Sequence, residues 1–256
     1  MKRVFLAAAA LAALFATGPA AAKSAVPTYV KAAVADPGRP AADTALDVDR
    51  KPVQMVMFAG IKPGMKVVDL MPGGGYFTRI FAKAVGPKGW VYAFQPTEQD
   101  HYFKDGKPIP AQELANDPQY GNISMIHEDI NQFSTPEKVD VVWTAQNYHD
   151  LHNPSYAPAD AAKYDKAIYD ALKPGGVFIV LDHAAKKGSG TADTNTLHRI
   201  DPAVVKKEVE AAGFKFAGQS NVLRNPKDDH ALIVFDPSIR HHTDQFIFKF
   251  VKPGRK

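Results

Sequence analysis

The chain has 256 residues, 45% hydrophobic and 23% charged, values that fit one large globular domain and exclude disordered, collagen-like and coiled-coil chains. Its net charge of +4 drops to +2 without Lys2 and Arg3 of the leader described below, too little and too evenly spread for a nucleic-acid binder or a polybasic membrane anchor. There is no cysteine, which excludes disulfides, thiolate zinc sites, iron–sulfur clusters and cysteine nucleophiles.

Met1-Lys2-Arg3 is a cationic start, and residues 4–16 are apolar throughout. Gly18-Pro19 then breaks the helix, and Ala20-Ala21-Ala22 supplies the small-residue pattern that signal peptidase reads. A secretory signal peptide over 1–22 is expected, cleaved after Ala22, with a bacterial periplasm as the destination. An apolar helix of this length rises only ~20 Å, short of the ~30 Å hydrocarbon core. No later segment is apolar for long enough to span, so no integral membrane segment is expected after cleavage.

Residues 23–45, rich in Ala, Pro and Asp, read as an irregular N-terminal arm, and 46–256 as one domain. There strand-like and helix-like segments alternate, the α/β pattern of a doubly wound sheet with helices on both faces. Residues 52–59 put Val53, Val56 and Met57 on one helical face, with Pro52 at the start and Gly60 past the end. After the turn Lys62-Pro63-Gly64, residues 65–70 form a buried strand. A helix follows from Tyr76, with Phe77, Ile80, Phe81, Ala84 and Val85 on one face, and ends at Gly86-Pro87. Residues 90–94 and 123–126 are the next strands; 97–121 between them, polar and carrying Pro108, Pro110 and Pro118, reads as a surface excursion. A fourth strand covers 140–144, and a helix over 158–172 faces inward through Ala161, Tyr164, Ile168, Ala171 and Leu172. Lys173-Pro174-Gly175-Gly176 turns into a fifth strand at 177–181. A helix from Asp201-Pro202 buries Val205, Val209 and Ala212 and closes at Gly213, before a sixth strand from Phe214. Phe246, Phe248 and Phe250 alternate with Ile247, Lys249 and Val251 in a seventh.

The most informative stretch is Val67-Val68-Asp69-Leu70-Met71-Pro72-Gly73-Gly74-Gly75-Tyr76-Phe77-Thr78. A buried strand ends in an acid, passes through glycines and opens a helix. Glycine lets backbone approach a ligand with no Cβ in the way, and the helix N-terminus adds free N–H groups and partial positive charge. Open α/β sheets bind ligands at this end of their strands. The glycine spacing is not that of the dinucleotide fingerprint, and the Gly-Lys-Ser/Thr of a Walker loop is absent.

An acid followed by glycines at +4 and +6 and by Tyr-Phe-Thr resembles motif I of class I S-adenosylmethionine-dependent methyltransferases. The resemblance extends over residues 50–252. Trp90-Val91-Tyr92-Ala93-Phe94 looks like that family's second strand, Ala171-Leu172-Lys173-Pro174-Gly175-Gly176-Val177-Phe178 like the turn into its fifth, and Ala211-Ala212-Gly213-Phe214 like the lead into its sixth. More narrowly, the chain resembles an exported family of predicted methyltransferases. The marks are residues 69–78, Asn147-Tyr148-His149-Asp150-Leu151-His152, and Asp228-Asp229-His230 leading to Thr243-Asp244-Gln245-Phe246. The resemblance implies a single seven-stranded Rossmann-like sheet with an antiparallel last strand. It also implies S-adenosylmethionine as cofactor, held by Asp69, Gly73, Gly74, Gly75, Gln95, Asp129 and Asn147. Two positions depart from the pattern: Met71 replaces a glycine, and Gln95 replaces the acid that binds the ribose hydroxyls, with Glu98 nearby as a substitute. Asp129 matches the position that contacts adenine.

In methyl transfer the cofactor carries the hard chemistry, while the protein aligns donor and acceptor and takes a proton from the acceptor where one must leave. His149, His152 and Asp150, on the loop after the fourth strand, form the expected catalytic set, the two imidazoles suiting a general base. Asp182-His183 stands where cation-dependent catechol-type methyltransferases bind metal, but with Asn147 as third position two of the three ligands differ, and no metal is expected. Asp182 is expected to bond the glycine-turn backbone instead. Asp228-Asp229-His230 and His241-His242 read as solvated loop. The expected function is methyl transfer to a small-molecule acceptor. The alternative is an exported, non-catalytic binding module that keeps the fold, because a charged cofactor made in the cytosol does not cross a bilayer unaided.

Overall fold

The computed structural model describes residues 25–103, 106–154 and 159–254; the expected leader over 1–22 lies outside the described residues, as does Pro158 at the expected start of a helix. The helices are α1 (Thr28–Val34), α2 (Ala41–Ala45), α3 (Asp47–Arg50), α4 (Pro52–Ala59), α5 (Tyr76–Val85), α6 (Pro110–Asn116), α7 (Ala161–Ala171), α8 (Thr194–Leu197) and α9 (Pro202–Ala211). The strands are β1 (Lys66–Leu70), β2 (Trp90–Pro96), β3 (Ile123–Glu128), β4 (Val139–Ala145), β5 (Leu172–His183), β6 (Lys215–Ser220) and β7 (Gln245–Val251).

All seven strands join one sheet in the order β3-β2-β1-β4-β5-β7-β6. The strands β1 to β5 run parallel, and β7 is antiparallel to both β5 and β6. The order reverses between β1 and β4, which makes the carboxyl ends of those strands the place for a ligand crevice. Side chains alternate across each strand. Val68, Leu70, Phe94, Phe178, Phe246 and Phe250 therefore pack on one face with Tyr164 and Ile168 of α7 and Val205 and Val209 of α9. Val67, Val91, Trp143, Ile179 and Ile247 pack on the other with α1, α4, α5 and α6. The Trp143 ring lies 4.8 Å from Phe77 and 5.4 Å from Phe81, seating α5 on the centre of the sheet.

Several local expectations need correction. The N-terminal arm is helical from Thr28, with Val30 and Ala33 buried in the core that α5 shares. Its helices are too short to hold alone, and packing orders them. In α4 the buried side chains are Met55, Val56 and Ala59, while Val53 and Met57 are half-buried. Residues 97–121 are not a surface excursion: α6 and its flanks bury Ala111, Leu114 and Tyr120, and Pro110 and Pro118 each begin a helical turn, where a missing N–H is harmless. The strand β5 starts earlier than expected and absorbs Lys173-Pro174-Gly175-Gly176 as an irregularity, with the pairing to β4 shifting between Val139 and Val141.

The loop between β6 and β7 is not simply solvated. The guanidinium of Arg199, fully buried, donates to both Asp228 oxygens at 2.9 and 3.1 Å and to the carbonyls of Ala184 and Leu232 at 3.0 Å. Asp244, also buried, takes two bonds from Arg224 and one from the Asn225 N–H. Buried charges persist only when paired and hydrogen-bonded, and here they fold a polar loop down onto β5. His241 and His242 remain exposed, as expected.

Candidate active site

The carboxyl ends of β1, β4 and β5 open into a cavity of about 460 Å³, within the ~300–1,000 Å³ usual for small-molecule sites. One wall is the glycine turn. Gly73, at φ +53°, and Gly74 line the cavity, and a Cβ built on either meets nothing within 4 Å. Gly75 serves packing instead: it caps α5 at φ +81°, and a Cβ there would run into Leu114 of α6. Asp69 is buried behind the turn, where its Oδ2 accepts a 2.6 Å hydrogen bond from Thr78 Oγ1. Burial pushes that carboxyl up to about 7, against the opposing pull of Thr78 and Arg50. Asp69 therefore ties β1 to α5 and does not line the cavity.

A second wall comes from residues 39–50, across the expected border of arm and domain, which the sequence reading left out of the site. Arg39 donates to both oxygens of Asp47 at 2.9 and 2.7 Å, and Asp47 also accepts from the Tyr76 hydroxyl at 2.6 Å. Arg79 pairs with Asp43 at 2.8 Å and donates to the Gly74 carbonyl at 2.9 Å. These bonds clamp α2 and α3 against the glycine turn, so that Asp43, Leu46 and Arg50 face the cavity. The Arg50 guanidinium sits 4.7 Å from the Tyr76 ring centroid.

Of the positions expected to hold a ribose and an adenine, Gln95 is fully buried and donates to Gln99, which lines the cavity. The Gln95 Oε1 is buried with no hydrogen-bond partner among the described residues. Asp129 is exposed and accepts from the Asn131 N–H at 2.7 Å, capping a 3-10 turn; the structure does not bring it to the cavity. Glu98 is similarly engaged, by the Ile130 N–H at 3.1 Å.

The third wall is made of side chains. Asn147 Nδ2 donates to the Met71 carbonyl at 3.0 Å, joining the β4 loop to the glycine turn. His149 is 2% exposed and its Nδ1 lies 2.8 Å from Asp182 Oδ1. Asp182 also accepts the backbone N–H of His149 at 2.8 Å and of His183 at 2.7 Å, so it braces the β4 loop and not the glycine turn as expected. Burial opposes charge on both groups, but their pairing wins, holding Asp182 below and His149 above the usual range. Burial raises Asp150 to about 6 and drives His183 down to about 3. His198, which the sequence reading missed, closes the group: its Nδ1 is 3.2 Å from His149 Nε2, and its ring centroid 4.9 Å from that of Phe235. Val234 and Phe235 line the same end, with the Val234 N–H donating to the Leu197 carbonyl at 3.2 Å and Arg199 holding the Leu232 carbonyl just before them.

His152 does not join the group. Its Nε2 lies 3.0 Å from Glu208 of α9, beside the Tyr148 hydroxyl, which is 2.7 Å from Asp165 Oδ2 and 3.1 Å from Glu208 Oε2 and shares its one proton between them. It belongs to a half-buried polar network away from the cavity lining, so the structure does not bring it together with His149 and Asp150. Met71, Gln146 and His198 all line the cavity in left-handed backbone at φ +49°, +63° and +53°. Such conformations cost about 1–3 kcal/mol each and concentrate at ligand sites.

A doubly wound sheet of this order, with a glycine turn after β1 and an antiparallel β7, is the class I S-adenosylmethionine-dependent methyltransferase fold. A SAM dependent methyltransferase from Aquifex aeolicus superposes with a TM-score of 0.55 at 18% identity, covering 83% of this chain and 98% of the other. The glycopeptide N-methyltransferase MtfA, complexed with sinefungin, gives a TM-score of 0.55 at 15% identity over 82% and 87% of the two chains. In sequence the chain is similar to the ubiquinone/menaquinone biosynthesis C-methyltransferase UbiE of Shewanella woodyi, 26% identical over 194 residues. That match covers 75% of this chain, which spans 65% of the relative's length. No protein-family model matches. The fold is that of class I methyltransferases, and in sequence the chain is similar to one of them.

Proposed function

We propose that this protein is an S-adenosylmethionine-dependent methyltransferase acting on a small apolar or aromatic molecule, and that it works after export through the leader over 1–22. The observation that carries the first part is one cavity with open glycine backbone on one side and an oriented imidazole on the other. The residues suit the cofactor. Space over Gly73 and Gly74 admits a ligand against the backbone, Gln95 Oε1 is an acceptor in want of a donor, and Arg50 offers a cation for a carboxylate. When bound, S-adenosylmethionine supplies an electrophilic methyl group.

The protein's own part is to hold and deprotonate the acceptor. Asp182 takes the Nδ1–H of His149, which leaves Nε2, 3.2 Å from His198 at the cavity wall, as the basic nitrogen, the arrangement of a general base with its orienting carboxylate. Phe235 and Tyr102, 53% and 56% exposed, give an apolar acceptor surfaces to rest on. The similarity to a C-methyltransferase supports the reaction class. Calorimetry with S-adenosylmethionine and S-adenosylhomocysteine tests it. Wild type should bind both, and Gly74→Val, which puts a branched side chain into open cavity without backbone strain, should bind neither while its circular dichroism stays native. Absence of binding in the wild type would turn the assignment to a non-catalytic binding module. Mass spectrometry of periplasmic protein should find Lys23 first; intact Met1 on cytoplasmic protein would remove the export proposal.

A further inference from the structure

Three potential ligand atoms converge at the acceptor end of the cavity. His149 Nε2 is 3.2 Å from His198 Nδ1 and 3.4 Å from Asp150 Oδ1, and His198 Nδ1 is 4.0 Å from Asp150 Oδ1. Atoms so spaced share a centre about 2.1 Å from each, inside the ~2.0–2.2 Å range of zinc–imidazole and zinc–carboxylate bonds. We propose that His149, Asp150 and His198 form a binding site for a divalent transition metal, Zn²⁺ by ligand type, with an open coordination position toward the cavity.

The support around these atoms is what a metal site needs. A ligating imidazole donates its other N–H to a carboxylate or carbonyl, which fixes the tautomer and aims the lone pair. Asp182 does this for His149, and is itself held by two backbone N–H groups. His149 and Asp150 share the short 3-10 turn Tyr148–His152, and His198 arrives from the left-handed end of α8, so the set is assembled from two rigid element ends. Two nitrogens and one carboxylate with a fourth position free is a catalytic zinc arrangement, unlike the four closed ligands of a structural site. All three residues line the cavity, so the free position faces the space where an acceptor would lie.

The inference goes beyond the methyl-transfer reading and does not rest on it. If both hold, the ion takes over from the imidazole. The His149 lone pair would then hold the metal, and the ion would supply the Lewis acidity that lowers the pKa of an acceptor hydroxyl, as zinc does for water. The rival arrangement is a plain hydrogen bond between the two imidazoles, which needs no ion.

Chelator-treated full-length protein dialysed against Zn²⁺ should take up one ion per chain, and Co²⁺ in its place should show the visible absorption of a low-symmetry site. His198→Ala, at a half-buried position, and Asp150→Asn should each weaken uptake by more than about 100-fold, beyond the ~10–100-fold that removal of an outer hydrogen-bond partner costs. His152→Ala and His242→Ala should bind as wild type does. No uptake by the wild type, or full uptake by a natively folded His198→Ala, would overturn the site. Zinc uptake without S-adenosylmethionine binding would leave this site standing and remove the methyltransferase reading; the reverse would return His149 Nε2 to its role as a free base.

Discussion

The glycine wall and the histidine wall face each other across one cavity but are built differently. The first is mostly backbone from a single stretch, Met71 to Gly74, and it offers space and N–H groups next to a helix end. The second is side chains from three places, the loop after β4, the end of β5 and the end of α8, held by Asp182. The difference maps onto the chemistry. Under the proposed function, the glycine wall would hold the cofactor through backbone and the histidine wall would handle the acceptor and its proton through side chains.

Substitutions in the two walls should therefore separate binding from turnover. His149→Ala should slow methyl transfer by about 10²–10⁴-fold with cofactor affinity within a few-fold, read by single-turnover kinetics and calorimetry. Loss of affinity equal to that of Gly74→Val would merge the two walls into one. Arg199→Ala should cost about 3–5 kcal/mol in denaturant unfolding, because it leaves Asp228 buried and unpaired. A natively stable variant would mean that the loop carrying Val234 and Phe235 is held by something else. Gly75→Ala should destabilise by about 1–3 kcal/mol, from left-handed strain and overlap with Leu114, in contrast to Gly74→Val.

The smallest effect is expected at the clamp beneath the glycine wall. Tyr76→Phe should cost about 0.5–1.5 kcal/mol, one hydrogen bond to Asp47. Burial would raise the Asp47 carboxyl, but Arg39 and Tyr76 hold it below its ordinary value. A depressed acid contributes stability that is fully present above its unfolded pKa of ~3.9 and is lost as pH falls through the folded value. The gap between wild type and Tyr76→Phe should accordingly narrow on acidification below about pH 4. A gap independent of pH would place the bond outside the Asp47 ionisation.

The sheet and the glycine turn were legible because their signals are local: apolar runs, turn residues at their ends, and one acid–glycine–helix sequence. The stretch from α1 to α3 was not, since these helices are seven, five and four residues long, too short to show a period. His198 carries no local mark, and it meets His149 only because α8 follows β5 across the top of the sheet. Asp129 and His152 look functional as residue types, yet one caps a turn and the other faces Glu208. Asp228 looked solvated because a carboxylate reads the same whether paired or free, and its partner Arg199 lies 29 positions away.

The strand that completes the sheet is the last one in the chain, and it is not an edge. Until β7 slides between β5 and β6, a nascent or refolding chain presents two bare strand borders and a mobile aromatic segment, Gln245–Val251, with the makeup of an aggregation-prone stretch. The pairing of β7 with β5 joins segments far apart in sequence, the kind of contact that is slow to form in folding. Chaperone dependence and yield should therefore hinge on β7, whose first residues also pair with Asp182 and His183 beside the cavity, and Lys249, the one charge within it, is placed to serve as a gatekeeper.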